Sequence, residues 1–380
     1  ESALFCYSDQ YALAKPQFWK SYHDHLRAIV RDHRNHPSIV MISLENEILH
    51  CGGERVPETV HNLAEAGRLV KKLDPTRPIM YDADGDPEGV ADVVNLHYPL
   101  DFDRQNLWPN CAWWLETGME VRGWPHKLFR WDRKKPLYFG EFLHLQHYRQ
   151  PDNYTTLLGD RAYWGFNQPV AESKTRAWLM QIEAYRACGA SGMCPWTLTE
   201  TRRFPSEDNP RYQAVGRGYR KQVALVRNRR WGWYSGDRLK QTACLYNDTP
   251  HPADLTVTWR FGESEESTQG SGRRTFHLGP AEKVRFDFEM KAPEVQSRLA
   301  ICPHLSVSGG NGAATESEEW LCTVSPRSAF TLTRGLRIAV LGGAGSRLVD
   351  AIRSAPVEVL QIDNLASIPK ADVLLIAPKC

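Results

Sequence analysis

No apolar run in this 380-residue chain is long enough to cross a bilayer as a helix, so a helical membrane span is not expected. The nine cysteines show neither CxxC pairs nor framework spacing, which makes free thiols in a reducing compartment the easier reading. A charge excess of one sign is also missing. The formal net charge is +2 with basic and acidic residues interleaved, so there is no nucleic-acid footprint. The densest basic run, Arg227 to Arg230, is short and reads as a solvated turn. The chain starts at Glu1 without a Met or signal peptide and stops at Cys380 directly after a strand. Both ends read as cut, and the compartment (cytoplasmic, periplasmic or secreted) stays undetermined.

What the chain does have is aromatic and apolar mass. With 42% hydrophobic and 11% aromatic residues it can build a large core and two or three domains. Thirteen Trp and fourteen Tyr exceed ordinary core needs and suit a sugar-binding cleft.

The organising stretch is Arg31 to His50. Asn35 and Pro37 end a helix, and Ser38–Leu44 reads as a buried parallel strand, with Asn46-Glu47 at its C-terminal end. Taken alone, Glu47 reads as a capping residue. The surrounding order changes that. Glu1–Pro16 reads as a loop, Gln17–Asn35 as an amphipathic helix and Pro57–Leu73 as a second. Strands are expected at Pro78–Tyr81, Asp92–Leu96, Pro136–Gly140 and Ala190–Pro195, with helices at Ala112–Val121 and Val170–Cys188. The strand exits carry Glu47, Asp82, His97-Tyr98, Glu141 and Trp196, which is how a parallel α/β barrel arranges its chemistry. Five strands leave an open arc, so three further strands are expected upstream of Glu1.

After Arg230 short alternating runs, among them Thr242–Asn247, Asp254–Phe261, Thr275–Leu278 and Lys283–Phe288, suggest an antiparallel β-sandwich. Ser306–Glu319 is rich in Gly, Ser and Glu and reads as a linker. From Arg334 a strand, the Gly342–Gly345 turn and a helix open a doubly wound α/β domain. The expected fold class is thus α/β, a (β/α)8 TIM barrel with strands 4–8 present, a β-sandwich and a partial doubly wound domain. The domain limits are 1–230 for the barrel, 231–305 for the sandwich, 306–333 for the linker and 334–380 for the last domain.

Glu47 and Glu141 lie three strands apart and would face each other across a closed barrel. Two carboxylates over an aromatic cleft are what glycoside hydrolysis needs, one giving a proton to the leaving oxygen, the other meeting the anomeric carbon. Four segments in this order, RNHPSIVMISLENE at 34–47, LDPTRP at 73–78, VVNLHYP at 93–99 and PLYFGEF at 136–142, resemble retaining glycosidases of clan A. The likeness is strongest to the family 2 β-galactosidase, β-glucuronidase and β-mannosidase group, and covers residues 17–200. It implies Glu47 as general acid/base, Glu141 as nucleophile and Asn46 on the sugar 2-hydroxyl. It also implies Tyr98 bonded to the nucleophile, His97 among the substrate-binding residues and Trp196 flooring the subsite. Two departures stand out: Ile42-Ser43-Leu44-Glu45 replaces the family's Trp-Ser-Leu-Gly, and the residues of its first three strands are absent.

Other constellations read as bland. Against a metal cluster of Glu141, His144 and His147, the two histidines are read as cleft-lining or loop residues, and Asp82, Asp84 and Asp86 as turn residues ahead of a calcium loop. Gly342–Gly345 reads as a structural turn ahead of a phosphate cradle, in a domain resembling the flavodoxin-like accessory domains of some bacterial glycosidases. The expectation is a retaining exo-β-glycosidase, galactose-directed first, with Glu47 carrying the raised pKa and the two carboxyls at retaining separation. No cofactor or metal is expected, and the partner is an oligosaccharide or glycoside, without nucleic acid or membrane; self-association into a homo-oligomer is left open. The rival is a carbohydrate-binding pseudoenzyme that keeps the cleft without turnover.

Overall fold

The computed structural model describes residues 2, 4, 6, 10–98, 112–118, 120–122, 128–142, 167–196, 210–226, 232–261, 271–309, 314–319, 322–327, 334–342, 347–366 and 368–376. They form two compact units, the first made of 1–230, 238–290 and 302–320, the second of 231–237, 291–301 and 321–380.

The first unit opens with α1 (Gln10–Leu13) and α2 (Pro16–His33). Pro16 starts α2 where its missing N–H is no loss. Trp19, Tyr22, Leu26 and Val30 form the buried stripe. The strand expected at Ser38–Leu44 begins later, as β1 (Ile42–Asn46). The reason lies in Arg77: its Nε donates to the Ile39 carbonyl at 2.6 Å and its Nη2 to that of His36 at 3.1 Å. The segment before β1 therefore gives its carbonyls to a side chain. Asp74 holds Arg77 by an Nη1–Oδ2 contact of 2.6 Å and accepts the Thr76 N–H and hydroxyl at 3.0 and 2.5 Å. Residues 73–78 are thus a structural turn that braces the approach to β1.

The loop expected at 1–16 is more ordered than its composition implies. Besides containing α1, it pairs with β1: the Ser2 N–H donates to the Ser43 carbonyl and the Asn46 N–H to that of Leu4, at 3.1 and 3.0 Å. Buried Leu4 anchors it.

Next come α3 (Thr59–Leu73), β2 (Ile79–Asp82), β3 (Asp84–Gly85), β4 (Val94–His97), α4 (Trp113–Thr117), β5 (Val121–Arg122), β6 (Leu128–Phe129), β7 (Leu137–Phe142), α5 (Asn167–Cys188) and β8 (Gly192–Pro195). Helix α4 is shorter than the expected Ala112–Val121, because Gly118 (φ 66°) takes the left-handed stop. The sheet order is β1-β2-β3-β4-β7-β8. β1/β2, β4/β7 and β7/β8 are parallel, and β3 is a two-residue antiparallel insert between β2 and β4.

Each parallel strand turns apolar side chains one way and polar ones the other. Ile42, Leu44, Ile79 and Tyr81 join α2 and α3 in one core, while Leu137, Phe139, Phe142 and Met193 join α5 in another. Phe139 stacks on Tyr185 of α5 at 3.8 Å between ring centroids. Alternate positions, Ser43, Glu45, Asp82, Asn95, His97 and Gly140, point away from those helices. An α/β TIM-barrel fold accounts for this: one strand face is covered by helices, the other lines the barrel.

The next elements, α6 (Pro210–Gly218) and β9 (Gln222–Val226), were not expected from the sequence. They are followed by β10 (Gly232–Tyr234), β11 (Arg238–Asn247), β12 (Ala253–Phe261), β13 (Gly272–Leu278), β14 (Glu282–Lys291), β15 (Leu299–Ile301), β16 (Pro303–Ser308), β17 (Ala314–Glu319) and β18 (Cys322–Ser325). In the first unit they make two sheets, β14-β11-β9 and β13-β12-β16-β17. The stretch read as a linker therefore holds strands: β17 pairs antiparallel with β16, whose Leu305 and Val307 are buried, and that pairing overrides the Gly/Ser/Glu-rich composition. Arg186 of α5 ties this region down, donating to Asp248 at 2.8 Å and lying 4.3 Å from the Tyr246 ring centroid.

The second unit has a sheet of order β10-β18-β15 and a parallel one built from β19 (Arg337–Leu341), α7 (Arg347–Arg353), β20 (Glu358–Ile362) and β21 (Val373–Ile376), in order β20-β19-β21. Ile338, Val340, Val349 and Ile352 are its core. Of the glycine-rich turn only Gly342 lies within the described residues.

Candidate active site

The C-terminal ends of β1, β2, β4 and β7 converge on one histidine. His97 is fully buried; its Nδ1 lies 2.7 Å from Glu47 Oε1 and 3.8 Å from Glu141 Oε2, and its Nε2 3.1 Å from Asp82 Oδ1. Glu47, His97 and Glu141 bring one donor atom each within 4.8 Å of one another. Both strand ends here are irregular: register shifts occur between Ser43 and Asn46 and between Leu96 and His97. Bulges of this kind re-aim side chains beside active sites. Glu47 itself is left-handed (φ 60°), as is Tyr98 (φ 45°), a conformation that costs a non-glycine residue roughly 1–3 kcal/mol.

Burial lowers the His97 pKa, but the hydrogen bonds to Asp82 and Glu47, with the charges of Asp82 and Glu141, push it up to about 9. It is therefore an imidazolium at neutral pH. Burial pushes Glu47 up, yet the His97 hydrogen bond and the charges of His50 and His97 outweigh it and hold the carboxyl below its ordinary range. The expectation that Glu47 is the raised carboxyl is thus corrected. Repulsion between Glu47 and Glu141 was the basis of that expectation, and a buried cation standing between the two reverses it.

The other expected site residues lie at the same strand ends. Asn46 is the last residue of β1, and its Oδ1 is buried without a donor among the described residues. The Tyr98 N–H donates to the Glu141 carbonyl at 2.9 Å, and its ring packs edge-on to His97 with centroids 5.6 Å apart. Trp196 is 43% exposed just past β8, its N–H bonded to the Phe142 carbonyl at 3.1 Å. His144 and His147 lie outside the described residues. Among the described residues two triples could hold a cation on geometry alone, Glu47–His97–Glu141 and Cys6–Glu47–Cys51. Burial, together with the Glu47 charge, pushes the Cys51 thiol up to about 12, so 3.8 Å from Glu47 Oε2 it stays a protonated neighbour.

Sequence reasoning missed the frame around His97. Asp82, read as a turn residue, holds its Nε2. Asn95, fully buried, donates to Asp82 Oδ1 at 2.5 Å and accepts the N–H groups of Ala83 and Gly140 at 3.1 and 3.2 Å. Gly140 is a glycine because the network presses on it: a Cβ there would stand 2.0 Å from Asp82 Oδ1, 2.5 Å from His97 Nε2 and 2.6 Å from Asn95 Oδ1. Gly140→Ala is expected to cost about 1–3 kcal/mol through overpacking and to cut turnover at least tenfold. Wild-type melting and turnover in that variant would show that the frame is soft. The signal in the sequence was the alternation itself, since Asn95 and His97 are two apart in a short apolar strand.

Residues 6–145 match the family model described as "Glycosyl hydrolases family 2, TIM barrel domain". That segment, which contains Glu47, His97 and Glu141, is similar to the TIM-barrel domain of that family. Among solved structures, the β-D-mannosidase from Dictyoglomus thermophilum is similar at a TM-score of 0.52 and 14% identity, over 83% of this chain and 42% of that one. This likeness concerns the fold, and the chain spans less than half the length of that relative. The endo-β-1,4-mannanase from Thermotoga petrophila overlays at a TM-score of 0.35 and 12% identity, covering 84% of this chain and 74% of that one, too loosely to carry argument. No curated protein sequence matches the chain.

Proposed function

We propose that the protein is a retaining exo-β-glycosidase that works by double displacement. The observation that carries this reading is the closeness of the two carboxylates: an oxygen of Glu47 and one of Glu141 lie within 4.8 Å of each other, at two parallel-strand ends of a glycoside hydrolase barrel segment. Retaining pairs stand roughly 5–5.5 Å apart, whereas inverting pairs need roughly 6.5–9.5 Å to admit a water. Glu141 attacks the anomeric carbon while Glu47 protonates the departing oxygen, forming a glycosyl-enzyme. Glu47 then takes a proton from the water that releases the sugar. Asn46 is assigned to the sugar 2-hydroxyl, Tyr98 to the nucleophile, His97 to holding the carboxylates within the substrate site, and Trp196 to the subsite floor.

The sugar is the finer question. Galactose is the first candidate from the sequence resemblance, with mannose and glucuronic acid behind it. The test is turnover on a panel of aryl β-glycosides (galactoside, mannoside, glucuronide), with the anomer of the first-formed sugar read by NMR. The expected result is a β-anomeric product from one of the three. An α-anomeric first product would overturn the retaining mechanism. Tight sugar binding without turnover would favour the carbohydrate-binding alternative.

The remaining assignments belong to the same proposal: a β-sandwich whose strands run on past 305 through β16 and β17, a flavodoxin-like last domain, and a homo-oligomer acting on glycosides.

A further inference from the structure

The residue that departs most from the resembled pattern, Glu45, lies directly beneath the site. It is fully buried on β1, and its Oε2 accepts the Ile48 N–H at 3.0 Å. Its Oε1 is buried with no donor among the described residues, and its nearest carboxyl partner is Asp84. Asp84 is already committed as an acceptor: Oδ2 takes the Leu49 N–H at 2.6 Å and Oδ1 the His50 N–H at 2.8 Å. Two buried carboxyls in contact must share a proton. Asp84, saturated by two N–H groups, is the charged partner, which leaves the proton on Glu45, donated to Asp84.

The three N–H groups belong together. Glu47 closes one helical turn with Cys51, whose N–H donates to the Glu47 carbonyl at 2.9 Å, so the N–H groups of 48, 49 and 50 are the orphan donors at the start of that turn. A capping side chain ordinarily takes one such donor; here two carboxyls take all three. The turn starts at Glu47, whose own N–H is bound by the Asp82 carbonyl at 2.9 Å and whose left-handed φ needs support from its surroundings.

We propose that Glu45 is a positioning residue: neutral and bonded to Asp84, it completes a two-carboxyl clamp on the turn 48–50 and thereby aims the Glu47 carboxylate at the cleft. The proposal rests on Glu47 being the acid/base of the reading above. A glycine at this position would leave the Ile48 N–H without its acceptor and Asp84 without its donor.

The test uses the whole protein and two readouts. Hydrogen exchange measured by mass spectrometry on a peptide spanning 46–52 reports the clamp. The kcat/KM values for an activated aryl glycoside and an unactivated alkyl glycoside, which report formation of the glycosyl-enzyme, read the aim of Glu47, because only the poor leaving group needs protonation. Glu45→Met, close in shape but without polar atoms, is expected to speed exchange of the turn at least tenfold. It should also lower kcat/KM for the alkyl glycoside at least tenfold while changing kcat/KM for the aryl glycoside less than threefold. Glu45→Gln keeps an acceptor for Ile48 and a donor for Asp84, and should restore both readouts. Asp84→Asn, which leaves one N–H without an acceptor, should shift both readouts in the same direction as Glu45→Met and serves if that variant does not fold. Unchanged exchange in Glu45→Met, equal losses on both leaving groups, or a Gln variant as impaired as Met would overturn the proposal. Should the wild type turn over no glycoside, the exchange readout still decides the clamp, so failure of the two readings can be told apart.

Discussion

Alanine at Glu141 and alanine at Glu47 are expected to fail in different ways. Glu141→Ala removes the atom that forms the bond to the anomeric carbon, so every substrate should slow, on the order of 10⁴-fold or more, the scale on which groups of the bond-making step act. Azide should restore part of the rate by entering the space of the lost carboxylate, and the glycosyl azide formed that way should have the inverted configuration. Glu47→Ala should spare formation of the glycosyl-enzyme from activated aryl glycosides and cut that from alkyl glycosides by roughly 10²–10⁴-fold, the usual worth of a positioned general acid. The measurement is kcat/KM against leaving-group pKa for both variants. Parallel losses across all leaving groups in both would void the division of roles. Azide rescue confined to Glu47→Ala with an inverted glycosyl azide would exchange them.

The pattern of strands and the two glutamates could be read from the sequence because both depend on local rules. Short apolar runs that end at polar residues, interrupted by helical stripes, require little more than periodicity, and β1, β2, β4, β7 and β8 all fall within a few residues of their expected positions. What could not be read depends on partners distant in sequence. The late start of β1 is set by Arg77, more than thirty positions on. The strand character of 314–319 is set by pairing with β16, not by its own composition. The protonation of Glu47 was misjudged for the same reason. Sequence placed two like charges together, whereas the fold inserts His97 between them and backs it with Asp82 and Asn95. A residue's pKa is fixed by all its neighbours, and periodicity says nothing about neighbours fifty residues away.

That buried histidine gives the second large expected effect. With a folded pKa near 9 against 6.5 for the ordinary side chain, His97 binds its proton more tightly in the folded than in the unfolded protein. Its contribution to stability is therefore complete below pH ~6.5 and is lost as pH rises through about 9. The size of the shift corresponds to about 3 kcal/mol. Urea unfolding of the wild type should show stability falling by that order between pH 6.5 and 9.5. His97→Gln can still donate to one carboxylate but carries no charge. It should be less stable at pH 6.5, by roughly 3–5 kcal/mol if Glu47 and Asp82 stay buried and unpaired, and nearly flat across the same window. Catalysis should follow the same titration. With Glu47 as the acid of the proposed mechanism and its carboxyl held below its ordinary range, the proton for the leaving oxygen is expected to arrive along the 2.7 Å contact from His97 Nδ1. Turnover of alkyl glycosides should accordingly decline above about pH 9 in the wild type. In His97→Gln that decline should begin at much lower pH, where Glu47 alone can still be protonated, while activated aryl glycosides should show a much smaller change. A wild type whose stability does not change across the window, or a Gln variant that keeps the decline near 9, would show that the imidazolium is not the proton store.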